Sequence, residues 1–268
     1  MLNFVKRTLR TSLDALGFEL RRKKQFEQAD DPYHAISLLL DSQDTKTIID
    51  AGASIGDTSQ RLADLFPTAT IHAIEPYPPF HESLDQVVKK NNRIRLSKLA
   101  LSDQNGSAFL QINKSEGTNS LLEANDDGKK VYGDLLSPVT EVKVKTRTLD
   151  DFIKDNRIER IDFLKLDLQG SELPALRGAT KAMKTGSIRC ILCEIMFEPH
   201  YTDQPTAGAL LHELIEKRGF TLFNLYQPHY HHGRLLQADG LFLLPSVISE
   251  NKGRAEESFQ PHSVFPLK

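Results

Sequence analysis

The sequence predicts a doubly wound α/β protein on a mainly parallel, seven-stranded sheet. Three observations carry that reading. Short apolar or β-branched runs alternate with helical stretches along most of the 268 residues, and such alternation buries a parallel sheet between helices. Residues 47–57 read Thr-Ile-Ile-Asp-Ala-Gly-Ala-Ser-Ile-Gly-Asp, a strand that runs through a glycine turn into a helix start. Acidic residues stand where predicted strands end, at Asp50, Glu75, Asp167 and Glu194. Ligands in open parallel sheets bind at those carboxyl ends.

The elements follow in order. Residues 1–24 hold seven basic and two acidic side chains, a net +5 within a chain of net −2. Leu2, Val5, Leu9, Leu13 and Leu16 recur at helical spacing. Residues 1–46 are therefore predicted as a basic amphipathic helical arm, with a helix at 32–40. Such an arm suits packing on its own domain, on a second copy in a homo-oligomer, or at an anionic membrane surface. The main domain is predicted over 47–245. Strands at 47–51, 70–74 and 94–99 alternate with helices at 58–66 and 79–91. Extra strands at 107–112 and 142–148 flank a glycine- and charge-rich excursion. A helix at 149–156 leads to a strand at 161–166. A helix at 173–184 leads to a strand at 188–195. A helix at 208–218 stops at Gly219, and strands at 221–226 and 240–244 close the sheet. Residues 246–268 read as a loose, polar C-terminal tail.

Composition removes several classes. No apolar run approaches the roughly 18–20 residues of a membrane span, and the N-terminus lacks the apolar region of a signal peptide. A cytoplasmic protein is expected, peripheral on the inner membrane face if the arm is a tether. The near-neutral net charge argues against nucleic acid as a partner. Cys190 and Cys193 stand three apart in a predicted strand, so they face opposite ways and share neither a bridge nor a metal.

The glycine turn narrows the ligand. A dinucleotide fingerprint needs G-x-G-x-x-G. This chain has Gly52 and Gly56 with Ala53 and Ser54 between. The missing middle glycine points away from a pyrophosphate and toward S-adenosyl-L-methionine, which has none. A nicotinamide-dependent oxidoreductase is the alternative. Asp50, Gly52, Ser54, Gly56, Asp57 and Thr58 are the cofactor-binding candidates at this corner. Glu75 follows Gly52 by 23 residues and can accept hydrogen bonds from both ribose hydroxyls. A solvated loop glutamate is the plain alternative.

Further motifs join these. Ala-Leu-Ser-Asp ends at Asp103, Thr-Leu-Asp-Asp-Phe starts at Thr148, and Lys-Leu-Asp-Leu-Gln-Gly-Ser-Glu starts at Lys165, with Gly178-Ala179 beyond. With them the chain resembles the FkbM family of S-adenosylmethionine-dependent methyltransferases over about residues 44–244. The resemblance implies a Rossmann-like class I methyltransferase fold. It also implies methylation of a hydroxyl oxygen, often on a sugar of a polysaccharide, glycolipid or secondary metabolite. By analogy with the fold, Asp103 would accept from the adenine amino group, with Leu101 and Ser102 against the ring. A turn-forming aspartate is the rival reading. The segment 116–122 would fold over the cofactor as a lid. One position departs: Gln169 stands where the family usually carries Glu. That departure keeps a third reading open, a non-catalytic binding protein on a degenerate methyltransferase fold.

Methyl transfer to a hydroxyl needs alignment and a sink for the hydroxyl proton. Asp167 and Glu194 are the catalytic candidates, since each ends a strand beside the expected methyl. A carboxylate in the apolar run around Glu194 needs a partner. Glu172 can instead serve a helix N-terminus. His229, His231 and His232 lie between the last two predicted strands and are candidates for contact with a small-molecule or glycan hydroxyl acceptor. Their spacing matches no strong metal pattern, so no metal is predicted.

Overall fold

The computed structural model describes residues 31–250. The arm over 1–30 and the tail from 251 lie outside the described residues, and so does the expected membrane or subunit contact of residues 1–24. No described helix is long and apolar enough to cross a membrane.

Helix α1 (Pro32–Leu39) starts with Asp31 accepting from Tyr33 N and proline in its first turn, where a missing N–H loses nothing. Next come β1 (Thr47–Ala51), α2 (Asp57–Leu65), β2 (Thr70–Ile74), α3 (His81–Lys90) and β3 (Ile94–Ser97). Strands β4 (Ala100–Leu101), β5 (Gly106–Asn113) and β6 (Pro138–Arg147) form a separate three-stranded sheet in the order β4-β6-β5. Helix α4 (Asp126–Tyr132) interrupts the excursion between β5 and β6. Then follow α5 (Leu149–Asn156), β7 (Ile161–Leu166), α6 (Glu172–Arg177), α7 (Thr180–Lys184), β8 (Ile188–Met196), α8 (Ala207–Leu211), β9 (Thr221–His231), β10 (Arg234–Leu243) and α9 (Pro245–Glu250).

The main sheet runs β3-β2-β1-β7-β8-β10-β9. Pairings from β3 to β8 are parallel, and β10 is antiparallel to both its neighbours. This is the expected seven-stranded, mainly parallel sheet. Alternation along each strand divides two cores. Ile49, Leu164, Ile191 and Cys193 face one core, and Ile48, Phe163, Cys190 and Leu192 face the other. The two cysteines are free, buried and on opposite faces. Ala35, Ile36 and Leu39 of α1 belong to the second core. The packed body therefore begins before residue 47.

Several elements differ from the sequence expectation, each for a physical reason. The strand expected at 94–99 ends at Ser97, because Ala100 and Leu101 leave to pair with Thr146 and Arg147 of the small sheet. The helix expected at 173–184 is two short helices. The break falls at Gly178, where a Cβ would sit 2.2 Å from Ser102 O, so the chain bends to let the two backbones meet. The helix expected at 208–218 turns into a π-helix over His212–Lys217 and stops at Gly219 with φ +74°. The strands expected at 221–226 and 240–244 are the cores of a longer hairpin, β9–β10. The residues after 244 open not as loose chain but as α9, which buries Val247.

Candidate functional site

Two turns at the carboxyl edge of the sheet build the site. The first joins β1 to α2. Gly52 has φ +78° and Gly56 has φ +99°, a backbone that favours glycine. Their missing side chains also make room for protein. A Cβ on Gly52 would lie 2.0 Å from Asp167 O, and one on Gly56 would lie 2.9 Å from Leu84 Cδ2. The glycine turn is thus clamped against the end of β7 and the side of α3.

Glu75 follows β2 and is 5 % exposed. Its Oε2 accepts from Ser54 N (2.8 Å) and its Oε1 from Tyr77 N (2.8 Å). Each oxygen keeps a lone pair for another donor. Burial raises its pKa to about 7 against the pull of those two N–H donors.

The second turn, 167–171, follows β7. Glu172 Oε1 accepts from Leu168 N (2.8 Å) and Gly170 N (3.2 Å), which fixes the loop from the start of α6. Burial lifts the Glu172 pKa to about 7. Gln169 has φ +51°. Its Nε2 donates to Asp167 Oδ1 and to Glu194 Oε2, both at 3.0 Å. The Tyr201 hydroxyl lies 3.0 Å from both Gln169 Oε1 and Thr118 O, so its one proton serves one acceptor at a time. The Glu194 Oε1 accepts from Gln237 Nε2 (2.8 Å), and Tyr132 donates to Gln237 Oε1 (2.8 Å). Burial, then the Asp167 charge, pushes the Glu194 carboxyl well above the usual range.

Lys165 joins the two turns. Its Nζ donates to Gly52 O (3.1 Å) and lies 3.5 Å from Asp50 Oδ1 and 3.4 Å from Asp167 Oδ2. Burial alone would lower this ammonium's pKa, but Asp167 and Asp50 outweigh it and raise it. Asp50 is fully buried and also accepts from Ser59 Oγ (2.6 Å).

Between the turns lies a cavity of about 230 Å³. Of the expected cofactor residues, Gly52, Ser54, Glu75 and Leu101 line it, as does Asp167. Asp50 sits behind it and holds Lys165. Gly56, Asp57, Thr58, Ser102 and Asp103 are not on its wall; Asp103 is exposed and accepts from Ser102 Oγ (3.3 Å). Glu116, Gly117, Asn119, Ser120 and Leu121 form one side of the cavity, and Ser120 Oγ donates to Gln169 O (2.6 Å). His229 and His231 lie within β9 and His232 in the tight turn after it, at φ +47°. His231 and His232 border a separate hollow with Lys130, Glu198 and His200, so the structure does not bring them to the cavity that holds Asp167.

Sequence reasoning missed Tyr77 and Phe80, which line the cavity as an edge-on pair with centroids 5.0 Å apart. It also missed the linking role of Lys165. A lysine inside the wholly buried strand Ile-Asp-Phe-Leu-Lys-Leu was the available signal, because a buried charge demands partners. Tyr201, Gln237 and Tyr132 carried no local signal.

The residues fit S-adenosyl-L-methionine. Glu75 presents two fixed acceptors suited to a ribose diol, and aromatic and leucine side chains beside it suit a flat base. The fold and cleft define a Rossmann-like class I methyltransferase. The Methyltransferase FkbM domain matches residues 50–222, and the chain belongs to that family. The 2-O-methyltransferase NoeI of Sinorhizobium fredii is 27% identical over 193 residues, 67% of this chain and 74% of that protein. Methyltransferase 1 of Beauveria bassiana is 27% identical over 146 residues, 50% of this chain and 59% of that protein. The crystal structure of Methyltransferase FkbM from Methylobacillus flagellatus has a TM-score of 0.50 and 19% identity, and shares the fold over 82% of this chain and 50% of that one. The chain thus spans between half and three quarters of these relatives. Family membership sets aside the nicotinamide-dependent reading.

Proposed function

We propose that this chain transfers a methyl group from S-adenosyl-L-methionine to a hydroxyl oxygen, on a sugar of a glycan, glycolipid or secondary metabolite. Asp167 is the observation that carries the proposal. Its side chain is 43% exposed, on the same cavity wall as Glu75 and Gly52. When bound, the cofactor supplies a methyl already activated by the sulfonium charge. The chain then has to orient the acceptor and receive its proton. Gln169 and Lys165 hold one oxygen each of Asp167, which aims a carboxylate into the cavity. Glu194 lies behind Gln169 and keeps that amide in place. The relative named as a 2-O-methyltransferase supports oxygen as the methylated atom.

The tests separate this reading from a binding protein on the same fold. Calorimetry with S-adenosyl-L-methionine and S-adenosylhomocysteine reports cofactor binding alone. Mass spectrometry across a panel of glycans and glycolipids reports transfer, as a mass gain of one methylene. Tight cofactor binding with no methylated product from any hydroxyl acceptor would leave the binding-protein reading standing. His231 and His232, which border a separate hollow, would touch only an acceptor long enough to reach the hairpin. The N-terminal arm is proposed to be dispensable for cofactor binding, and deleting residues 1–24 tests that by the same calorimetry.

A further inference from the structure

A second cavity, of about 560 Å³, opens at the amino end of the sheet. It is lined at Thr47 and Thr70, the first residues of β1 and β2, and at Lys46, His72, Arg95 and Arg157. The methyl-transfer reading does not use it. Its chemistry is one-sided. Lys46, Arg95, Arg157 and Arg160 face only Glu159 and Asp162.

Asp162 is already committed. It is fully buried, accepts from Lys46 N (2.8 Å) and Thr47 N (3.1 Å), and pairs with Arg160 (2.7 Å) and Arg189 (3.6 Å). Arg95 and Arg157 are exposed and make no side-chain hydrogen bond or ion pair with any described residue. The Lys46 ammonium bonds Gln43 O and Thr68 Oγ1, with no carboxylate among its partners.

His72 supplies an independent observation. It is 3% exposed, and its Nδ1 is buried without a partner. Such an orphan is costly. Its ring packs edge-on against Phe152 of α5 at 5.6 Å, and Arg95 stands beside it in register on β3. Burial, then the Arg95 charge, lowers its pKa to about 4. A neutral ring beside a guanidinium is a hydrogen-bonding group and no part of the cavity's positive charge, which rests on the arginines and Lys46. Arg157 adds a backbone sign. It closes α5 at φ +54°, a conformation that favours glycine, yet the residue there is a long cation.

We propose that this amino-end cavity binds a compact phosphate-bearing ligand. The Arg95 and Arg157 guanidiniums would hold phosphoryl oxygens, since their forked donors match that geometry. Lys46 adds charge at the rim, and the His72 side chain stands in the cavity wall beside Arg95. The phosphate is either part of a soluble compound or a lipid headgroup.

The test uses the full chain at low ionic strength. Pyrophosphate is titrated calorimetrically, and vesicles of phosphatidic acid in phosphatidylcholine are tested by cosedimentation. Nitrogen spectra of the His72 imidazole follow the same titrations. One saturable site is expected, with a shift of the His72 signals. Arg95→Ser and Arg157→Gly should each weaken binding at least tenfold and leave the thermal midpoint near wild type. Arg157→Gly suits its backbone, so it guards against a folding artefact. Pyrophosphate binding that both variants lose assigns a soluble source. Vesicle binding alone, lost in the same variants, assigns a headgroup. Absence of both, binding that survives both variants, or a silent His72 overturns the proposal.

Discussion

The two cavity carboxylates, Glu75 and Asp167, are held by different parts of the chain. Backbone N–H groups of Ser54 and Tyr77 fix Glu75. Side chains fix Asp167, through the Gln169 amide and the Lys165 ammonium. A backbone-held group survives substitution of its neighbours. A side-chain-held group can be disarmed from one or two residues away. The Glu75 end of the cavity is therefore robust, and the Asp167 end, proposed above to face the acceptor, is adjustable.

The largest expected effect breaks the adjustable end. Asp167→Asn should lower turnover on a true acceptor by roughly 10²-fold or more if the carboxylate takes the hydroxyl proton, while S-adenosylhomocysteine affinity changes little. Wild-type turnover in that variant would move attention to Glu194. Glu75→Ala breaks the robust end. It removes acceptors for two ribose donors, each typically worth about 1.5–3 kcal/mol when the acceptor is charged. Cofactor affinity should fall at least tenfold with the fold intact, and unchanged affinity would end its ribose assignment.

Gln169→Ala sharpens the comparison. Loss of one amide frees Asp167 Oδ1 and Glu194 Oε2 together. Turnover should fall by about tenfold, near the worth of one hydrogen bond to a charged group, and the pH–rate profile should shift. Gln169→Glu should be worse than Ala, because it sets a third carboxylate between two others. A profile unmoved by either change would reduce Gln169 to packing.

The smallest effect is a pH dependence with two signs. Glu75 and Glu172 titrate at about 7 in the folded chain and Asp239 at about 6, all above their ordinary values. The folded state then holds more protons than the unfolded one between about pH 4 and 7. Stability from these groups is full below that window and is lost as pH rises through it. Cofactor affinity should run the other way, since an ionised Glu75 accepts ribose hydroxyls better. Thermal midpoints with and without S-adenosylhomocysteine, measured from pH 5 to 8, should diverge as pH rises.

The same contrast decides what was legible in the sequence. The first turn is local: β-branched residues, two glycines and a strand-ending glutamate stand within 29 positions from Thr47 to Glu75. Period and turn chemistry were enough to find the corner and to place Gly52, Ser54 and Glu75. The second turn is assembled from Gln169, Glu194, Tyr201 and Gln237, which meet only when β8, β10 and the loop after β8 fold together. No spacing rule joins those positions. Asp103 was expected by analogy with the fold: Ala100 and Leu101 of the small sheet do line the cavity, while Asp103, two residues further on, is exposed and not on its wall. The histidines fall between the strands expected at 221–226 and 240–244, whereas the hairpin carries β9 through His231.

Gly52 without a side chain has one further consequence. Its backbone presses on the Asp167 carbonyl, and Lys165 ties Gly52 O to Asp50 and Asp167. The two ends of the cavity are thus riveted into one rigid jaw of constant span. A donor of fixed length is gripped by a gauge of fixed length. Retuning for a different acceptor is then expected on the opposing wall, the 116–121 segment, whose residues can be exchanged without disturbing the gauge.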